Sequence, residues 1–412
     1  MAYLAVAAVI LLLLLLLSPS KPDSVVLPVF RDTPSGLHFL QLLIGAPTEA
    51  VTLLVDLNGP VLWTSCQENQ TALIFPSCRS TACSSAGIRH SCRKCAYAGE
   101  CRRPNTCAVV SENPITRTNS VSELAQDVIR VDRNSSSRGP AEIRYFLLAC
   151  TPATVSVEPL PPEVKGVAGL GYTPIALPTQ IASRFGFPPE FSVCLSSLYG
   201  SGEGRVIIGR TPSQKSFVYA PLTIGTRGDY NLRVESIKQA PKNSPPLLLS
   251  SIFIIQVNYE EVSPGAGPWL AKFSTTSPYT VINQPLYDSI IESFARALTG
   301  VPRVPSISPF ELCFDARILP PTRVGSPDMD LIINGGRNVT WRILGVQALL
   351  RLRPDVACLA FIDGGLPQPR SETTASITIG LNEIEERLLQ FDLRRSRVGF
   401  APSILSQPFR CS

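Results

Sequence analysis

A chain of 412 residues exceeds what one hydrophobic core usually organises, so two lobes are expected. Its 38 prolines and 27 glycines, set among short runs rich in Val, Ile, Thr and Phe, exclude a mostly helical protein and point to a mainly β one with many turns. The net charge of +5 is small for this length and the arginines are scattered among acidic residues, which excludes a nucleic-acid footprint.

Leu4 to Leu17 is an unbroken apolar run of 14, followed by Ser18-Pro19-Ser20. It falls short of the roughly 20 residues that span a bilayer, so residues 1–20 are expected to be a signal peptide. No basic residue precedes the run, which leaves a signal anchor as the alternative. No later segment has the pattern of a membrane helix, so no membrane association is expected once the leader is removed. Behind such a leader, 12 cysteines imply an oxidising compartment and up to six disulfides. Asn69, Asn134 and Asn338 stand in Asn-x-Ser/Thr sequons, expected glycosylation sites on exposed loops.

Leu53 to Trp63 and Trp269 to Ile282 share one pattern, apolar strand, polar turn, apolar strand, and are read as an internal repeat. Each is followed by an apolar run ending in glycine: Gly169 lies 113 residues after Asp56, and Gly380 lies 106 after Ser274. Between the repeats, Gly209 to Ser216 contains Pro212 and no apolar residue, and is the expected interlobe linker. The expected lobes are 21–209 and 217–412. In the second, Leu286, Ile290, Phe294 and Leu298 recur every four residues, between Asn283 and Gly300, which predicts a helix from about Pro285 to Thr299.

Cys78, Cys83, Cys92, Cys95, Cys101 and Cys107 crowd one region with His90 close by, and Cys92 and Cys95 have a metal-ligand spacing. The oxidising compartment favours disulfides over a metal site, and no metal or cofactor is expected. His38 and His90 are the only histidines and neither stands in a nucleophile motif, which argues against Ser-His-Asp or Cys-His chemistry. Gly202-Glu-Gly204 lacks the third glycine of a dinucleotide loop, Ile207 standing in its place.

Four landmarks follow in order: Gly166-Val-Ala-Gly-Leu-Gly171 with Leu177-Pro-Thr-Gln-Ile181, then Phe191-Ser-Val-Cys-Leu195, then Phe391 to Pro402. Together they resemble the pepsin-like aspartic proteases of plants over nearly all of the chain after the leader. The resemblance implies a bilobal, mainly β fold. Proteases of that fold need two carboxylates about 3 Å apart sharing a proton. Here Asp-Thr-Gly aligns with Asp56-Leu57-Asn58, and Asp-Ser-Gly aligns with Ser274-Thr275-Thr276. A serine hydroxyl cannot complete a general acid and base pair with Asp56, so a pseudoenzyme is expected, with Asp56 bonded locally at the end of a buried strand.

The Ser-Thr-x-x-Pro-Tyr and Asp-x-x-Gly-Pro-x-x-Trp segments resemble a narrower plant group: xylanase inhibitors, basic seed globulins and extracellular dermal glycoproteins. The resemblance implies a secreted protein of the plant apoplast or cell wall that inhibits a microbial xylanase or endoglucanase, with a non-inhibitory binding or storage globulin as the alternative and a residual peptidase as the remote one. A retaining glycosidase holds two carboxyl groups about 5 to 5.5 Å apart, a spacing suited to a planar guanidinium. Likeness to the endoglucanase-inhibiting members places that arginine at Arg323, in the segment Phe314 to Ser326, with Arg317 as a weaker rival. The second inhibitory loop of that group follows Phe400. This chain has no histidine there, which weakens the xylanase reading, and Arg410 stands about two positions from where an arginine would align. By analogy with the group, the long-range bridges are Cys66 to Cys150, Cys194 to Cys411 and Cys313 to Cys358.

Overall fold

The computed structural model of the chain describes residues 24–66, 73–87, 90–92, 105–132, 140–151, 160–197, 203–210, 217–239, 260–262, 268–319, 326–333, 339–366 and 375–400. The leader, the three sequon asparagines, Cys95, Cys101, Cys411, Arg323, Arg410 and linker residues 211–216 lie outside the described residues.

The protein is mainly β with a few short helices, and is pepsin-like in architecture. Its organising unit occurs twice. Strand Glu49–Asp56 runs parallel to Val164–Gly169, with Asp56 opposite Gly169. Strand Trp269–Phe273 likewise runs parallel to Ile377–Ile379, with Phe273 opposite Ile379. Gly169, which ends the first pairing, and Gly380, which directly follows the second, are steric necessities. A Cβ on Gly169 would stand 2.5 Å from the carbonyl oxygens of Gly59 and Val61, and one on Gly380 would stand 2.3 Å from Tyr279 O. The internal repeat is therefore two copies of a polar turn pressed against a glycine.

The two halves share one sheet. Glu190–Cys194 pairs antiparallel with Leu388–Asp392, so that Phe191 faces Phe391, and their rings stack at 4.8 Å. Strands Val218–Pro221 and Arg397–Phe400 extend the same sheet on the second-half side, and Gly204–Gly209 and Ser24–Arg31 extend it on the first-half side. A continuous core runs beneath, including Leu54 and Phe191 from the first half and Phe273 and Phe391 from the second.

The helix expected near 285–299 spans Leu286–Ala297 and buries Leu286, Tyr287, Ile290 and Phe294, the face that the four-residue period marks; Leu298 is buried just beyond its end. Among the described residues, disulfides join Cys66 to Cys150, Cys313 to Cys358, Cys78 to Cys92 and Cys83 to Cys107, and Cys194 is also bonded. Within the same residues no group of three or more His, Cys, Asp or Glu is placed to hold a metal ion, and no helix is long and apolar enough to cross a membrane.

Candidate functional site

Asp56 is the last residue of its strand, and the chain must turn at once to bring Leu57 and Asn58 under the second half. The turn is closed by its own carboxylate, whose Oδ1 accepts the Asn58 N–H at 3.0 Å, and the Asp56 carbonyl accepts from Leu170 N at 2.8 Å. The side chain is buried, and that burial raises its pKa from 3.8 to about 6, against the pull of the Asn58 N–H and of the charge on Lys272. Lys272 lies two residues before Ser274 on strand Trp269–Phe273; Asp229 and Arg227 supply weaker opposed charges nearby.

Ser274 takes the corresponding place in the second half, directly after its strand, with its N–H on Ile379 O at 2.8 Å. It is buried, and its Oγ accepts from the backbone N–H of Thr276 at 3.3 Å and Ser277 at 3.1 Å. The hydroxyl thus closes its turn as the Asp56 carboxylate closes the other. No hydrogen bond joins Asp56 to Ser274 among the described residues, so each polar group is spent locally.

The halves are instead tied around these two residues. Thr275, fully buried, donates through Oγ1 to Val55 O at 2.7 Å and accepts the Leu57 N–H at 2.9 Å. Leu57 has no hydroxyl with which to return the link. Asn58 supplies it by another route: Nδ2 donates to Phe273 O at 2.7 Å, and Oδ1 accepts from Tyr230 N at 3.3 Å. Tyr230 adds a further tie, its hydroxyl donating to Leu170 O at 2.9 Å. A glycine at position 58 could make neither side-chain bond. These ties escape sequence reasoning, which treats Asn58 only as a departure from a motif; an amide where a glycine is expected was the available signal.

Of the expected inhibitory residues, Arg323 and Arg410 lie outside the described residues, but the stem of the Arg323 loop does not. Leu319 O accepts from Arg351 Nη2 at 3.4 Å on one side. On the other, Gly345 fits so closely against Ser326 that a Cβ would stand 2.2 Å from its carbonyl oxygen, and Gly345 N donates to Asp328 Oδ1 at 2.8 Å. Leu319 and Ser326, which flank 320–325, thus both lie against the segment that carries Gly345–Ala348 and Leu349–Arg353. Arg317 is engaged elsewhere: its Nε and Nη2 grip the Asp315 carboxylate at 2.9 and 2.6 Å, and hold that carboxyl down at a pKa of about 2. His38 is fully buried with Nε2 2.8 Å from Ser196 O, and burial lowers its pKa to about 4, which suits a structural strut.

The chain matches two family models, one described as xylanase inhibitor N-terminal over residues 38–210 and one described as xylanase inhibitor C-terminal over residues 252–402. It is 37% identical over 412 residues to gamma conglutin 1 of Prunus dulcis, covering 96% of this chain and 90% of that protein. It is 36% identical over 408 residues to basic 7S globulin 2 of Glycine max, covering 94% of this chain and 89% of that one. The crystal structure of basic 7S globulin from soybean superposes with a TM-score of 0.78 at 35% identity, covering 95% of this chain and 98% of that one. The paired turns, the shared sheet and these matches over both halves lead to one assignment: the chain belongs to the family of xylanase inhibitor-like proteins that includes the basic 7S globulins and gamma conglutins.

Proposed function

We propose that this protein is a secreted, non-catalytic binder that inhibits a microbial cell-wall glycoside hydrolase, an endoglucanase in preference to a xylanase, by inserting Arg323 between the two carboxyl groups of the enzyme's cleft. The observation that carries the reading is the match of both halves to xylanase inhibitor models. Two features support it. The residue that opens the second turn is a serine whose hydroxyl accepts from backbone N–H groups, which leaves Asp56 without a titratable partner there. The residues that flank the Arg323 segment, Leu319 and Ser326, both lie against the segment Gly345–Arg353.

The test is a pull-down of fungal and bacterial endoglucanases and xylanases on the purified protein, followed by inhibition assays on whatever binds. Capture and inhibition of at least one such enzyme is expected. A protein that neither captures nor inhibits any of them would instead fit the alternative, a non-inhibitory binding or storage globulin.

A further inference from the structure

The short helix Leu381–Ile384, directly after Gly380, carries a carboxyl group into the interior of the second half. Glu383 is 1% exposed. Its Oε1 receives one long bond, from Asn382 Nδ2 at 3.4 Å, and its Oε2 has no hydrogen-bond partner. A carboxyl so placed costs far less as the neutral acid than as an anion. The cation that acts on it, Arg387, is engaged elsewhere. Arg387 Nη2 donates to Gln347 Oε1 at 2.9 Å and to Arg342 O at 3.0 Å, and its guanidinium lies over the Trp341 ring, 4.5 Å from the centroid. Asn382 Nδ2 also donates to Gln347 O at 2.9 Å. Gln347 is therefore clasped by the two side chains that act on Glu383. Its helix, Gly345–Ala348, bears on Ser326 and Asp328 through Gly345.

We infer that Glu383 is a proton-operated switch: protonated, it leaves Arg387 clasped to Gln347, and ionised, it draws the guanidinium away from Gln347 and from the Trp341 ring. The other charged groups around it are committed. Arg342, on strand Val339–Ile343, holds Asp330 with two bonds at 2.6 and 2.5 Å. Glu385 and Glu386 turn to the first half, Glu385 to Arg31 at 3.0 Å and Glu386 Oε1 to the Ser197 N–H at 2.7 Å. Tyr279 sets its ring against Phe310 at 4.7 Å, and neither strand Thr280–Ile282 nor helix Gly345–Ala348 carries a titratable side chain. Arg387 is thus the group left to answer a charge on Glu383. Burial raises the Glu383 pKa from 4.5 to about 7 against the pull of Arg387 and Asn382, so the proton leaves near neutrality. Arg387 stays charged there, since burial lowers its own pKa only to about 10. The folded state holds the Glu383 proton more tightly than the unfolded one, so the stabilisation is complete below about pH 4.5 and is lost as pH rises through about 7.

Indole N–H signals of the full-length protein, followed by NMR from about pH 5 to about pH 9, test this, with the Trp341 signal assigned through Trp341→Phe. Exchange of the Gln347 and Ala348 amides, which both bond Leu344 O at 2.8 Å, is read on the same samples and corrected for the intrinsic effect of pH. In the wild type the Trp341 signal should move in one step with a midpoint near pH 7, and protection of the two amides should fall about three- to tenfold through the same step. Glu383→Gln should keep the low-pH signal and protection over the whole range. Glu385→Gln removes the other carboxyl of this segment that burial raises to about 7, and should leave the step in place. The inference is overturned if the wild type shows no step, if indole and amides change at different midpoints, if the step survives in Glu383→Gln, or if it vanishes in Glu385→Gln; the first two outcomes need no variant to fold.

Discussion

The side-chain amide of Asn58 donates to Phe273 O at 2.7 Å, joining the turn of the first half to the strand that leads into the turn of the second. With the Thr275 bridge to Val55 and Leu57, it makes the centre of the molecule a joint between halves.

That joint should be measurable as stability. Thr275→Val keeps the shape but leaves Val55 O and Leu57 N unpaired in the core, at a cost of about 1–3 kcal/mol for each group. Asn58→Gly should destabilise by a similar amount through Phe273 O, with glycine's extra chain freedom adding to it. Urea midpoints of the two variants check this; a shift worth less than about 0.5 kcal/mol in either would show that the joint is incidental.

Asp56 should make stability depend on pH in an unusual sense. Its folded pKa of about 6 lies above the ordinary 3.8, so the folded state holds the proton more tightly than the unfolded one. The stabilising contribution is complete below about pH 3.8 and is lost as pH rises through about 6. Asp56→Asn removes that loss, and should raise stability near pH 7 by about 2–3 kcal/mol while leaving it unchanged near pH 3.5. Thermal melts of both proteins at the two pH values decide the matter. A variant less stable than wild type at pH 7 would refute it.

Adding the missing carboxylate should not create a protease. In Ser274→Asp, the new carboxylate would sit on strand-adjacent backbone two residues from Lys272, while Leu57 and Asn58 still occupy the other turn. Neither wild type nor Ser274→Asp should cleave denatured haemoglobin or casein between pH 2 and 6. Pepstatin-sensitive turnover by the wild type would contradict the non-catalytic reading; turnover by the variant alone would show that one residue suffices.

For the proposed inhibition, Arg323→Ala should weaken the complex by about 2–4 kcal/mol, or roughly 30- to 1,000-fold in the inhibition constant. Arg323→Lys should recover only part of this, because an ammonium cannot donate to two carboxylates as a planar fork does. Arg410→Ala should cost less. Equal inhibition by Arg323→Ala and wild type would move the interface elsewhere.

Non-reducing peptide mapping should find no free thiol and should pair Cys194 with Cys411, the long-range bridge whose second cysteine lies outside the described residues. Reduced Cys411 in the folded protein would exclude it.

Much of this molecule is legible in one dimension because its signals are local. The four-residue period from Leu286 to Leu298 marks the buried face of its helix, and the repeat around Asp56 and Ser274 is visible because an apolar strand, a polar turn and a distant glycine recur in the same order. The interlobe joint is not legible in this way. Asn58 and Phe273 are separated by 215 positions, and nothing beside either residue announces the other. The same holds for Arg227 and Glu112, two charges among many until the fold pairs them. Arg317 shows the reverse failure: its exposed place in the expected loop region makes it a candidate, whereas the Asp315 carboxylate, two residues away, already holds it.

The pairing of Glu190–Cys194 with Leu388–Asp392 also bears on how the protein is made. A nascent chain emerges from its N-terminus, so the first half's strand spends nearly half of synthesis with one edge unpaired, waiting for a segment made near the end. An unpaired strand edge is a template for the wrong partner, including the same strand of a neighbouring chain. The shared sheet therefore ties correct assembly to completion of the polypeptide: a truncated product lacking Leu388–Asp392 should be sticky as well as inactive, and release from the ribosome is the point at which that hazard can end.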